Sequence, residues 1–175
     1  MKFNKPIIFL ILLILKSFPV DVMAQELPYK SGEELRFLIY YDAPLLGKVY
    51  AGKASLEIEN SEEKKRGNTV FHAIGRGNST GSFDFFYKIR DRFETWFGVD
   101  DFRSHQFLRR TNEGGYVVED DVVFDYEKGQ AISRQDEKGI GKNVQDLVSA
   151  FYFARTLDIS NVPVGGNFPI DFYLD

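Results

Sequence analysis

Along most of the chain, apolar and polar positions alternate with a period of two. That is the spacing of a strand with one face in a core. Residues 35–41, 49–58, 69–74, 87–97, 106–111, 116–124 and 168–174 carry this pattern or a strand-forming composition. Turn signals lie between them: Asp42-Ala43-Pro44, the charged stretch 62–68, Asn112-Glu113-Gly114-Gly115 and Glu127-Lys128-Gly129-Gln130. These connections are too short to hold crossover helices, so an antiparallel arrangement is predicted. The expected class is mainly β: an antiparallel sheet, partly closed barrel or sandwich.

One segment changes period. Val144, Leu147, Val148 and Phe151 follow the i, i+3, i+4, i+7 spacing of a helix face. The spacing predicts one covering helix near 143–157, with Asn143 as its cap and Asp146 favouring its positive start. It ends before Asn161-Val162-Pro163, and Gly165-Gly166 leads into the last strand.

Two strands carry most information. In 87–97, one face reads Tyr87, Ile89, Asp91, Phe93, Thr95, Phe97 and the other Lys88, Arg90, Arg92, Glu94, Trp96. Asp91 is the one acid expected to face inward, where a carboxylate must be hydrogen-bonded, paired or protonated. In 35–41, Leu35, Phe37, Ile39 and Tyr41 line one side while Leu38 and Tyr40 flank Arg36 on the other. Apolar residues on both faces predict cover on both faces, by a helix, a second sheet or an apolar ligand.

The start of the chain reads differently. Lys2 and Lys5 precede an unbroken apolar run from Ile7 to Leu15, and Val22-Met23-Ala24 places small residues before Gln25. This is the layout of a secretory signal peptide. The run is short of the roughly 20 residues of a membrane span, so cleavage after Ala24 is expected rather than an uncleaved anchor. Cleavage removes Lys2, Lys5, Lys16 and Asp21 and takes the net charge from −4 to −6. Residues 25–175 are then one domain of ordinary size with no membrane span.

An acidic chain lacks the basic face that nucleic acid requires. The chain has no cysteine. That rules out a disulfide framework, a thiol nucleophile, a zinc–thiolate site and a lipid-modified N-terminus. An exported domain without disulfides fits a bacterial periplasm better than a eukaryotic secretory route. Aromatic residues make up 15% of the chain, with 17 Phe and 9 Tyr, a composition that favours strands and large buried areas.

Several phrases in order resemble one family. They are Tyr29 to Leu35 (YKSGEEL), Phe85-Phe86 with Arg90 to Glu94 (RDRFE), Arg109-Arg110 with Glu113-Gly114-Gly115, Val123 to Tyr126, and Asp146 to Tyr152. Together they are similar to the exported bacterial family catalogued as domain of unknown function 3108. The resemblance covers most of 25–175. It implies a β-rich envelope domain and no catalytic residues. It also implies that relatives continue past residue 175, so the domain is expected to lack its last strands.

No catalytic set is assigned. His72 lies in a strand pattern and reads as a packed or surface histidine. His105 follows Asp100-Asp101, but no second histidine stands at ligand spacing, so no metal is assigned. Ser149 lacks a G-x-S-x-G elbow. Gly75-x-Gly77-x-x-x-Gly81, with Ser79 and Ser82, matches no nucleotide fingerprint and reads as a flexible turn. No cofactor is expected.

Asp91 with Glu94, Asp120 with Asp121, or Asp125 are candidate carboxylates for glycan hydrolysis. A structural ion pair of Asp91 with Arg36, Arg90 or Arg92 is the plainer account, and Glu119-Asp120-Asp121 reads as a solvated hairpin edge. The leading expectation is a non-enzymatic periplasmic domain that binds an apolar or amphipathic ligand (a lipid or a glycan) or an envelope protein. Its candidate residues are Leu38, Tyr40, Arg90, Asp91, Arg92 and Trp96. Outer-membrane association is compatible with it. The alternatives are an envelope glycan hydrolase acting through Asp91, and an assembly protein that pairs through a sheet edge.

Overall fold

The structure is a computed structural model that describes residues 27–44, 47–60 and 63–173. The signal-peptide assignment therefore lies outside the described residues. Among these, nine strands form one open antiparallel sheet. They are β1 (Glu34–Ala43), β2 (Gly47–Ile58), β3 (Glu63–Lys65), β4 (Asn68–Ser79), β5 (Arg90–Gly98), β6 (Ser104–Glu113), β7 (Tyr116–Asp125), β8 (Gln130–Ile132) and β9 (Glu137–Gly139). Their order is β1-β2-β4-β5-β6-β7-β8-β9, with β3 beside β4. Among the described residues the sheet does not close into a barrel, and no second sheet forms a sandwich. Two helices complete the described residues: the single-turn α1 (Ser82–Phe86) and α2 (Leu147–Thr156).

The core lies on one face of the sheet, called here the helix face. Ile58, Ala73 and Phe97 pack there under Val148 and Tyr152 of α2, with Tyr29 from the N-terminal segment. A second cluster joins Phe107, Val122, Phe124 and Ala131 to Val144 and Tyr173. Burying a side chain of this size contributes about 1.5–3 kcal/mol. Gly75 and Gly77 belong to β4 and not to a turn. A methyl group at Gly75 would stand 3.3 Å from both Leu56 and Val148, so glycine is what lets α2 approach the sheet.

The helix begins later than its apolar spacing predicts. Asp146, not Asn143, is the cap, and the helix buries Val148, Ser149 and Tyr152 while Leu147 is half exposed. The buried stripe is rotated because Val144 lies ahead of the helix. Residues 168–174 do not form a strand among the described residues; Phe172 makes a single parallel bridge to Gln145. Its two hydrogen bonds run from Gln145 N–H to the Asp171 carbonyl and from Tyr173 N–H to the Gln145 carbonyl, at 2.8 Å each. Pro169, which has no N–H, interrupts the run. The double cover expected for β1 is also missing among the described residues. β1 is an edge strand, with Leu38 64% and Tyr40 53% exposed.

Asp146 is fully buried and accepts four hydrogen bonds. Two come from the amides of Val148 and Ser149, at 2.8 and 2.9 Å. The others come from the hydroxyls of Thr95 on β5 and Ser104 on β6. Ser149 Oγ accepts the Asp146 N–H in return, at 2.9 Å, closing a capping box. Burial pushes the Asp146 carboxyl up from its ordinary value, and the four donors pull it part of the way back. Asp146→Ala removes the cap and strands two buried hydroxyls, which is expected to cost about 3–5 kcal/mol. Asp146→Asn keeps an acceptor oxygen and is expected to cost less than half of that. Urea titration of both variants checks the order; an alanine variant as stable as the asparagine one would mean that the clamp does not stabilise the fold.

Candidate functional site

The opposite, open face of the sheet is charged in rows. Register places Arg36, Ser55, Arg76, Arg92, Arg110 and Glu119 side by side across β1, β2, β4, β5, β6 and β7. The next row holds Glu34, Glu57, Ile74, Glu94, Leu108 and Asp121. Like charges directly opposite one another destabilise a sheet. Ion pairs between the rows offset this. Arg36 meets Glu34 at 2.7 Å, Arg76 meets Glu57 at 2.9 Å, and Arg92 meets Glu94 at 2.7 Å. The aliphatic stems cover Ile74, which is fully buried.

At the β1 side, these rows border a groove of about 470 Å³ lined by Glu34, Arg36, Leu38, Lys53, Arg76 and Asn78, among others. Its volume lies within the range of about 300–1,000 Å³ typical of ligand sites. Lys53 is exposed and has no ion pair among the described residues. Leu38 faces Lys53, and Tyr40 faces Tyr50 with ring centroids 5.7 Å apart. The groove thus joins a cationic wall to an apolar shelf.

The sheet separates the residues singled out from sequence. Leu38, Tyr40, Arg90, Arg92 and Trp96 share the open face, while Asp91 lies on the helix face opposite Gly77. Arg36, Arg90 and Arg92 pair with Glu34, Asp84 and Glu94 instead, and the arginine whose charge acts on Asp91 is Arg109. Asp91 accepts the Asn112 N–H at 3.2 Å, and partial burial raises its carboxyl. It is not the sole inward acid: Asp120, Asp125 and Asp146 are more buried. Asp91 and Glu94 point to opposite faces, as do Asp120 and Asp121, so neither pair flanks a single bond. Glu119-Asp120-Asp121 is not wholly a solvated edge, because Asp120 is buried opposite Arg109.

Trp96 is buried and enclosed. It stacks on His72 at 4.2 Å, lies under Lys65 and donates its indole N–H to Glu63 at 2.7 Å. His72 reaches Glu94 at 3.0 Å and Glu63 at 3.3 Å. His105 is buried 3.8 Å from Asp101, and burial lowers its pKa. No group of three or more ligating side chains that could hold a metal occurs among the described residues. No described helix is long and apolar enough to cross a membrane.

Comparison with known families adds one finding. Residues 27–175 match the family model described as protein of unknown function (DUF3108). The chain belongs to that family. No curated protein and no solved structure matches it. In this DUF3108 chain, Arg36, Lys53 and Arg76 join Leu38 at the groove, and register sets Tyr40 and Tyr50 next to Leu38 on the same face, outside the lining. Alternation places each on a strand face, but nothing local in the sequence indicates which strands lie side by side.

A second feature lies at one end of the sheet, where Phe83 of α1 packs edge-to-face on Tyr41 of the helix face. Asp84 on α1 turns inward, bonding Ser79 Oγ at 2.5 Å and Arg90 at 2.5 and 3.1 Å. Phe85 and Phe86 turn outward, 86% and 80% exposed, in an edge-to-face pair. Arg90 first, then Ser79, hold the Asp84 carboxyl down to about 2. A depressed carboxylate stabilises the fold above its unfolded value and loses that contribution as pH falls through its folded value. α1 is therefore expected to stay docked down to pH 3 and to release near pH 2. Arg90→Gln should return the Asp84 midpoint toward the ordinary carboxylate value of about 3.9, read by carboxyl-carbon NMR titration.

Proposed function

We propose that this chain is an exported, non-enzymatic binding domain of the bacterial envelope, and that its ligand is an amphipathic anion. The anionic head sits between Arg36, Lys53 and Arg76, and the apolar body lies along Leu38, Tyr40 and Tyr50. The observation that carries the reading is the groove on β1, β2 and β4, where two arginines and a lysine with no ion pair among the described residues meet the exposed Leu38, with Tyr40 and Tyr50 next to it. Ligand sites of this kind combine an apolar surface with a few convergent polar groups. Arginine suits an oxyanion because its planar fork donates two hydrogen bonds to it.

Export rests on the first 24 residues, with their basic start, apolar run and small residues before Gln25. The periplasm is the compartment that fits a cysteine-free exported chain. Arg90 and Arg92 extend the cationic wall, while Trp96, covered by Lys65 and stacked on His72, does not touch the ligand. The exposed Phe85–Phe86 pair at the same end of the sheet suits contact with the lipid surface that supplies such a ligand.

Calorimetry with dodecyl phosphate tests the reading against two controls, dodecanol and inorganic phosphate. Dodecyl phosphate is expected to bind at least about tenfold more tightly than either, the weight of one charge-assisted hydrogen bond. Lys53→Glu should remove the preference for the phosphate head, and Leu38→Asp should remove the preference for the alkyl chain. Equal weak binding of all three probes, or identical binding by both variants, would overturn the assignment.

A further inference from the structure

β1 is long, apolar and paired on one side only, with β2, among the described residues. An exposed edge of this kind is a template for another strand. The phase of its free hydrogen-bonding groups follows from its entry. Gly32 N–H donates to the Ile58 carbonyl, and Ile58 N–H donates to the Glu33 carbonyl, both at 2.9 Å. Backbone groups therefore alternate with Glu33, Leu35, Phe37 and Ile39 turned toward β2. Those of Arg36, Leu38, Tyr40 and Asp42 point outward.

Outward-pointing residues of two antiparallel copies must face each other for a ladder to form. Three nearby registers satisfy this. Placing Leu38 opposite itself sets Glu34 against Asp42, two acids. Placing Tyr40 opposite itself sets Leu38 against Asp42. The register centred on Ile39 sets Arg36 against Asp42, Leu38 against Tyr40 and Phe37 against Tyr41, with Ile39 on the two-fold axis. It alone pairs opposite charges at both ends and apolar residues between them.

We infer that β1 docks against β1 of a second copy of this chain in that register, giving a symmetric dimer with one continuous sheet. Such a contact is isologous and closes on itself. On the open face, Lys48, Asp42 and the partner's Arg36 then alternate in charge across the axis, because Lys48 already faces Asp42 within one copy. The next row reads Tyr50, Tyr40 and the partner's Leu38. The apolar shelf of one groove runs into that of the other, so each copy completes its neighbour's groove. This last step rests on the proposed ligand site; the dimer itself does not.

The chain has no cysteine, which makes a disulfide test clean. A non-hydrogen-bonded antiparallel pair has Cα atoms about 4.5 Å apart, inside the range a disulfide spans. Ile39→Cys is expected to cross-link under mild oxidation. Leu38→Cys should react at least about tenfold more slowly, because its symmetry mate lies two positions along the strand, roughly 8 Å away. In sedimentation equilibrium of the full chain, Asp42→Arg should weaken the dimer about tenfold. Adding Arg36→Asp to the same chain should restore it, which separates loss of pairing from loss of folding. A monomer at all concentrations overturns the inference and leaves the edge to another segment or another protein. A dimer in which Leu38→Cys cross-links as fast as Ile39→Cys overturns the register. Dodecyl phosphate binding with no dimer would retain the ligand site and reject this contact; a dimer that binds no probe would do the reverse.

Discussion

A single buried carboxylate sets the position of everything on the helix face. Asp146 ties three elements together: the first turn of α2, Thr95 on β5 and Ser104 on β6. A buried charge without partners is expensive, and one with four donors fixes its surroundings. The clamp holds the start of α2 over the centre of the sheet. From there the helix runs toward β2, and its last turn meets the N-terminal segment. Arg155 grips Glu33 in a bidentate pair and lies over the Tyr29 and Tyr152 rings. The helix is pinned at both ends by charge, while its middle is held by Val148 and Tyr152.

With the core on one face, the other is free to carry charge. Its arginine row would repel itself if bare, and the acid row beside it removes most of that cost. The pairing also matters for binding. An arginine already held by a neighbouring glutamate loses little conformational freedom when an anion arrives. Against that, each paired arginine offers a smaller net charge. Lys53 is the exception: it is exposed, has no ion pair among the described residues and lies opposite Leu38. Selectivity for an anion is therefore expected to follow Lys53 more than the arginines.

Strand content, antiparallel pairing and the covering helix were legible because each rests on local periodicity. What was not legible rests on long-range contact. Gly75 and Gly77 look like a turn in sequence, yet both are strand residues, and at Gly75 the approach of Leu56 and Val148 explains the glycine. Asp146 reads as an ordinary helix-start acid until Thr95 and Ser104 are seen beside it. Asp91 stands out in the sequence because its own strand isolates it among aromatics, yet the more buried acids lie on other elements. Arg36, Lys53 and Arg76 are scattered over 40 positions, and only register gathers them.

One irregularity decides what lies beside the groove. β1 and β2 pair in regular steps to Ile39 and Gly52, and then Tyr40 faces Tyr50. Ala51 is the extra residue of a bulge. Without it, Tyr40 would face Ala51, and Tyr50 would lie opposite Tyr41 on the helix face. The bulge moves one ring across the sheet and doubles the aromatic shelf beside Lys53. Gly52 makes the bulge possible: any side chain there would collide with the Asn78 carbonyl of β4. A glycine that packs against a neighbouring strand thus determines which side of the sheet presents Tyr50, and with it whether the cationic wall has an apolar surface beside it.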